Sequence, residues 1–320
     1  MLEWEGVSLA YRPGGHKIFE EFSLTVEDST VLLGPTGSGK STLLASVLGI
    51  VPEVDGIIRI GGRPVGRGGA AGRQWASYLP GANLLPPALT VSEYLTEVGR
   101  LDGTSLASAR RHAQSMAERF ELTGELGLHI RRLSDGIKRK TMIAAALLKP
   151  SEWLLVDEPT AGLDPEEQRL VLTLLQAESH HRGVLVATGQ VDDTWVFTDR
   201  EILLHSGRVI FDGPRPRLAE AARGHVFRLP PNEPGGEPND RWWQPLPGRQ
   251  GIKAYRPESP PLAVAIGPTV EDGYFWILLQ AESELGGDRA GTTSPASLAQ
   301  EAGPTTVDLP LHGKQVSDGQ

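Results

Sequence analysis

The sequence predicts an α/β fold: a largely parallel sheet with an antiparallel part at its start and a small α+β extension near its C-terminal end. Three observations predict it. Short apolar runs alternate with segments of helical period between Thr30 and Ala187, the pattern of parallel strands joined by helices. A glycine-rich loop stands directly between one such strand and one such helix. After about Ala222 the composition turns toward proline, glycine and polar residues. The expected division is residues 1–222, 223–283 and a tail over 284–320, the tail expected to be disordered because it has no apolar period to bury.

The elements follow in order. Leu2–Leu9 and Phe22–Val26 run apolar or alternate and read as strands, with turn chemistry at Arg12–Gly15 between them. Thr30–Leu33 is a third strand. Lys40–Leu48 is apolar at helical spacing and stops at Gly49. Val91–Gly99, Ser105–Phe120 and Ile137–Leu148 read as helices, Trp153–Val156 as a buried strand, and Pro165–His180 as a helix with proline in its first turn. Val184–Ala187 is again a strand, and Glu201–His205 with Arg208–Asp212 form a hairpin across Ser206-Gly207. Pro230–Pro238 reads as a linker, and Gly251–Tyr274 holds a short strand and a helix start.

Composition excludes several classes of function. With no cysteine, disulfides, cysteine-ligated zinc and thiol catalysis are ruled out. A net charge of −9 argues against a general nucleic-acid binder, which needs surplus Lys and Arg to neutralise phosphates. The one compact basic patch is Lys138-Arg139-Lys140. No apolar run approaches the roughly 20 residues of a spanning helix, and the first residues carry no basic or apolar leader, so neither a membrane span nor a secretory signal is expected.

Gly34-Pro35-Thr36-Gly37-Ser38-Gly39-Lys40-Ser41 fits the phosphate-binding loop pattern, followed by Thr42. Its glycines let successive N–H groups turn inward as an anion nest, and the helix N-terminus adds its positive dipole end. Lys40 would reach the β- and γ-phosphates of a nucleotide, and the Ser41 hydroxyl would ligate Mg2+. A second strand ends in acid, Trp153-Leu-Leu-Val-Asp157-Glu158. Asp157 suits a magnesium contact through water, and Glu158 the orientation or deprotonation of an attacking water.

Between these motifs lies Leu133-Ser134-Asp135-Gly136-Ile137-Lys138-Arg139-Lys140, and after them Glu158-Pro-Thr-Ala-Gly-Leu-Asp164-Pro165. Together with the loop, these segments resemble the ATP-binding subunits of ABC transporters over about residues 1–215. The resemblance implies a P-loop nucleotide-binding domain with an antiparallel β subdomain and a helical subdomain, binding ATP with Mg2+. It implies a head-to-tail dimer, homo- or heterodimeric, with two ATP molecules at the interface. Ser134 and Gly136 match the positions that cap the γ-phosphate bound by the partner, and Asp164 the aspartate that couples the two sites. Tyr11 matches the aromatic that stacks on adenine; a strand-edge tyrosine is the alternative. The implied partners are integral membrane subunits on separate chains, which place the protein in the cytoplasm, peripheral on the inner face of the cell membrane.

Within that family the resemblance is nearest to type-2 exporters. Tyr78-Leu-Pro, Asn83-Leu-Leu-Pro and Leu89-Thr-Val-Ser-Glu-Tyr-Leu95 resemble their helical-domain entrance, and Gly267-Pro-Thr-Val-Glu-Asp-Gly-Tyr-Phe275 the close of their small C-terminal domain. Four positions depart from the family. Asp135 and Ile137 replace the commonest Gly and Gln; Asp135 either repels phosphate or serves the helix dipole. Gly81 stands where the family places Gln or Glu, and Gly189 where it places the histidine that senses the γ-phosphate. The expected function is therefore ATP-coupled transport, with export the preferred direction. A hydrolysis-impaired partner in a heterodimer and a soluble ABC protein of translation or DNA repair are the alternatives.

Overall fold

The computed structural model describes residues 1–12, 14–51, 53–66, 70–101, 103–191, 198, 200–230, 243–245, 252–259 and 262–286. The chain runs β1 (Leu2–Leu9), β2 (Phe19–Val26), β3 (Thr30–Leu33), α1 (Lys40–Val47), β4 (Glu53–Ile60), β5 (Arg63–Pro64), α2 (Ala70–Trp75), β6 (Ala76–Leu79), α3 (Val91–Arg100) and α4 (Leu106–Arg119). After a 3-10 turn at Ile130–Arg132 follow α5 (Asp135–Leu148), β7 (Trp153–Asp157), α6 (Pro165–Ser179), β8 (Gly183–Thr188), β9 (Arg200–His205) and β10 (Arg208–Pro214). The last elements are α7 (Arg215–Ala221), β11 (Val226–Leu229), β12 (Trp243–Pro245), β13 (Ile252–Tyr255), β14 (Val264–Ala265) and α8 (Val270–Gly286). Two compact units divide the chain, Met1–Ala281 and Glu282–Gln320; of the second, only the end of α8 is described.

Three sheets form. β2-β1-β4-β5 is antiparallel, β9-β3-β8-β7-β6 is parallel with β10 antiparallel at its edge, and β12-β13-β11-β14 is antiparallel. Consecutive residues of a strand face opposite sides of a sheet, and a parallel sheet is covered on both. The two main cores obey this. Leu32, Leu155 and Leu185 pack on one side with β1, β2, β4 and α1, while Val31, Leu33, Leu154, Val156, Val184 and Val186 pack on the other with α3, α4, α5 and α6. That alternation explains why β3, β7 and β8 read as continuous apolar runs.

Helix starts are set by caps. Thr90 and Glu93 close a capping box on α3, Ser105 caps α4, Ser134 caps α5, and Asp164 with Glu167 closes a second box on α6 behind Pro165. Ser134 moves the start of α5 to Asp135, one half-turn before the expected Ile137. The strand β4 was not among the expected elements, and the dipeptide Asp55-Gly56 within it has the composition of a turn. Here it is a bulge: the register with β1 shifts between Glu5 and Ser8, and a Cβ on Gly56 would lie 2.5 Å from the Gly6 carbonyl oxygen. The small C-terminal sheet packs Val226 and Tyr255 against Trp276 of α8, while Tyr274 of the same helix joins the main core. Glu284–Gly286, expected in the disordered tail, are the last residues of α8. The rest of that tail and most of the expected linker, from residue 231, lie outside the described residues.

Candidate functional site

Strand register brings the candidate groups to one edge. Leu33 of β3 stands opposite Thr188 of β8, and Ala187 opposite Asp157 of β7. The loop after β3, the acid pair ending β7 and Thr188-Gly189 therefore leave the sheet side by side, at the strand C-termini where α/β proteins bind ligands. β6 adds Pro80-Gly81 beside β7.

The loop passes too close to its neighbours for side chains. A Cβ on Gly34 would lie 2.2 Å from the Leu204 carbonyl oxygen, and one on Gly39, whose φ is 105°, 2.7 Å from the Phe19 ring. The loop from Thr36 to Thr42, Tyr11, Ile18 and Glu158 line a cleft of about 430 Å3. Tyr11 is 62% exposed, and its hydroxyl shares a 3.0 Å hydrogen bond with Thr42 Oγ1, which fixes the ring beside the loop. Ile18 carries no sequence signal for this role.

Lys40 is buried and donates from Nζ to the carbonyl oxygens of Gly34 at 2.7 Å and Pro35 at 3.1 Å, with Glu158 Oε1 at 3.9 Å. Burial lowers its pKa, and the charges of Glu158 and Asp157 oppose that shift. The Glu158 carboxyl is shifted the other way. Burial raises it most, and Lys40 together with hydrogen bonds from Thr188 Oγ1 (3.2 Å) and the Gly189 N–H (2.9 Å) pulls it back. A carboxylate with a raised pKa, held on both oxygens, has the character of a general base. Thr188 and the Gly189 amide were missed as its holders; a side chain can be read from a motif, whereas a backbone donor cannot.

Asp157 is 3% exposed, and its Oδ1 is buried with no hydrogen-bond partner among the described residues. A buried unpaired carboxylate oxygen beside a phosphate loop fits a hydrated divalent cation, as does Ser41, exposed on the first turn of α1. Among the described residues no cluster of three or more His, Asp or Glu could hold a metal alone, as expected where phosphates and water supply most of the ligands.

The structure separates two of the departing glycines. A Cβ on Gly189 would make ordinary contacts, 3.5 Å to the Gly34 carbonyl oxygen and 3.7 Å to Glu158 Oε1. One on Gly81 would lie 3.2 Å from Asp157 Oδ2, a tight approach. Ser134, Gly136 and Asp164 do not line the cleft. Ser134 Oγ and Asp164 Oδ1 accept first-turn N–H groups of α5 and α6, and Glu167 joins the two helices by pairing with Lys140 and accepting from the Asp164 N–H. Asp135 is exposed and paired with Lys138 at 3.0 Å, the reading in which it serves the first helical turn. The basic run is not a surface patch, because Arg139 and Lys140 are buried.

Comparison with known proteins agrees with this geometry. The ABC transporter family matches residues 20–161. The linearmycin resistance ATP-binding protein LnrL of Bacillus subtilis (strain 168) is 32% identical over 231 residues, covering 71% of this chain and 73% of that protein. The Nod factor export ATP-binding protein I of Burkholderia orbicola (strain AU 1054) is 32% identical over 63% of this chain and 67% of its own length. Against far longer retinal-specific phospholipid-transporting ATPases the match spans only 9% of their length. A solved ATP-binding subunit of an ABC transporter superposes with a TM-score of 0.62 at 27% identity, covering 69% of this chain and 92% of that one. The chain belongs to the ABC transporter family, as an ATP-binding and ATP-hydrolysing subunit.

Proposed function

We propose that residues 1–222 bind MgATP in the cleft and drive export by membrane subunits on separate chains, with 223–283 as a small accessory domain. The observation that carries this reading is the convergence of Lys40, Asp157 and Glu158 on adjacent strand ends, with one buried Asp157 oxygen unpaired. Lys40 and the N–H groups from Thr36 to Thr42 hold the phosphates, and Tyr11 offers its ring to the adenine. Ser41 and Asp157 hold magnesium, which when bound neutralises charge on the β- and γ-phosphates. Glu158 takes the proton of the attacking water, or orients it. Ser134, Gly136 and Asp164 act in the opposite site of a dimer, since none of them lines this chain's own cleft.

Export is favoured by one relative, the Nod factor export ATP-binding protein I. No described helix is long and apolar enough to cross a membrane. Next to Pro80, a second cleft of about 500 Å3 is lined by Tyr78, Tyr94, Val98 and Met142, with Leu84 and Leu101 strongly exposed on it. We assign it to the membrane subunits, which would hold the protein on the inner face of the membrane. The test of the nucleotide site is calorimetry with MgATP. Lys40→Ala removes a charge-assisted phosphate contact ordinarily worth about 1.5–3 kcal/mol, so affinity should fall at least about tenfold. An unchanged dissociation constant would refute the site.

A second reading rests on Gly81 and Gly189. With both positions lacking a side chain, the chain binds ATP but turns it over slowly, and a heterodimeric partner supplies the faster site. Isolation of the complex from detergent-solubilised membranes decides between them: a second ATP-binding chain favours the heterodimer, a single one the homodimer.

A further inference from the structure

Arg139 is the most fully engaged polar side chain near the site, and the readings above give it no role. It is 5% exposed, and its three nitrogens all end on backbone carbonyls. Nε donates to Pro159 O at 3.2 Å, one terminal nitrogen to Pro80 O at 2.7 Å and Gly81 O at 3.4 Å, and the other to Asp157 O and to Glu158 O at 2.6 Å. Its neighbours behave differently, Lys138 pairing with Asp135 and Lys140 with Glu167.

The five carbonyls belong to two loops. Pro80 and Gly81 follow β6, while Asp157 ends β7 and Glu158 and Pro159 follow it. Arginine has five N–H donors in a rigid plane and no acceptor, so one side chain spans both loops. The helix that carries it, α5, starts at the Ser134 cap, five residues earlier, or about 7.5 Å along the axis at 1.5 Å per residue. A helix is stiff over that length, so a displacement at Ser134 reaches both loops through one guanidinium.

We propose that Arg139 is a positioning residue for ATP hydrolysis: it fastens the helix that begins at Ser134 to the loops carrying Gly81, Asp157 and Glu158, so that nucleotide engaged at Ser134–Gly136 by a partner chain sets the geometry of this chain's own acid pair. The inference rests on the dimeric ABC reading above. It gives that reading a short route within one chain, along α5 and through the Arg139 hydrogen bonds, from the partner's nucleotide to its own base. Because the guanidinium donates only to carbonyls, its role is geometric; it makes no hydrogen bond to the P-loop and meets the cleft lining only at the backbone carbonyl of Glu158.

Lysine is the discriminating replacement. It keeps the positive charge but places its three donors on one atom, which cannot reproduce the five contacts that the planar guanidinium spreads over the two loops. The experiment compares full-length wild type, Arg139→Lys and Arg139→Gln, each assayed well below its melting midpoint, with Lys40→Ala as the control for the nucleotide site. MgATP dissociation constants should stay within about twofold in both Arg139 variants, since the P-loop is untouched. The kcat for phosphate release should fall at least about tenfold in both, the KM should change far less, and the Hill coefficient for ATP should drop toward one. A lysine variant with wild-type kcat and cooperativity would overturn the proposal, as would a kcat loss matched by an equal loss of MgATP affinity. If Arg139→Gln fails to fold, hydrogen exchange on the wild type decides: MgATP should slow exchange of the amides of Gly81, Ala82, Asp157, Glu158 and Thr160 together with the first turn of α5, and protection confined to the P-loop would overturn the proposal. Wild type that binds no MgATP, or binds it as well after Lys40→Ala, would instead bring down the underlying nucleotide reading.

Discussion

Restoring a histidine at position 189 should accelerate hydrolysis, and the structure says why this position is better than 81. Gly189 lies outside the left-handed region, and its Cβ would point between the Gly34 carbonyl oxygen at 3.5 Å and Glu158 Oε1 at 3.7 Å, both ordinary contacts. An imidazole there extends toward the phosphate end of the cleft without displacing the Gly189 N–H from Glu158. One preorganised donor aimed at developing charge is worth about 10²–10³ in rate, or roughly 2.7–4 kcal/mol. Some of that is lost to ordering the side chain, so Gly189→His should raise kcat by about 10- to 100-fold. Gly81→Gln should gain less alone, because its Cβ comes within 3.2 Å of Asp157 Oδ2 and displaces the carboxylate assigned to magnesium. The assay is steady-state phosphate release at matched dimer occupancy, with Glu158→Gln made in both backgrounds. Groups that act as a unit are non-additive, so Glu158→Gln should cost more in the Gly189→His background than in wild type. Fast wild-type turnover abolished by Glu158→Gln would show a complete site already present and refute the reasoning.

Four further outcomes are expected. The folded state raises the Glu158 pKa above its ordinary value of 4.5, so the acid limb of the pH–rate profile should lie above the usual carboxylate range. The same shift means that the folded chain holds this proton more tightly than the unfolded one; the stabilisation is full below about 4.5 and is lost as pH rises through the folded value. Glu158→Gln should therefore raise the melting midpoint at pH 8 more than at pH 5, as thermal melts would read. Trp276→Ala should cost about 3–5 kcal/mol in urea unfolding, because the ring is 3% exposed and stacks on His225 at 4.3 Å between centroids. Truncation after Gly286 should leave melting and ATP affinity unchanged, whereas truncation before Gly267 removes the buried Tyr274 and Trp276 and should lower the melting midpoint clearly.

Sequence legibility followed from how each feature is encoded. The P-loop and the acid pair were readable because each uses side chains or glycines at fixed offsets inside one short segment. β3, β7 and β8 were readable because burial on both faces leaves an uninterrupted apolar run. β4 was not, since its bulge at Gly56 borrows the chemistry of a turn. Arg139 was hidden for a different reason. Flanked by two lysines, it looks like part of a charged surface, and only the helical phase of α5, with Met142 and Ile143 buried three and four residues on, marks it as inward-facing. Its partners are carbonyls, which every residue carries, so no sequence pattern could have named them.

The electrostatics of the cleft couple binding to chemistry in a definite direction. Lys40 and Glu158 lie 3.9 Å apart, and the lysine's charge is the largest influence lowering the Glu158 pKa. A triphosphate in the loop brings more negative charge to Lys40 than one carboxylate does, so it draws the ammonium toward itself and away from Glu158. The same phosphates add negative charge beside Glu158. Both changes raise its proton affinity, the opposite sense to that of a magnesium ion held at Asp157, so the lysine and phosphate part of the coupling favours a stronger base. Thr188 and the Gly189 amide then become its remaining anchors, and they fix its position without neutralising its charge. With Glu158 as the proposed base, its carboxylate is tuned by the P-loop lysine and held by the end of β8, so the absence of a histidine at 189 would weaken stabilisation of the γ-phosphate while leaving Glu158 in place.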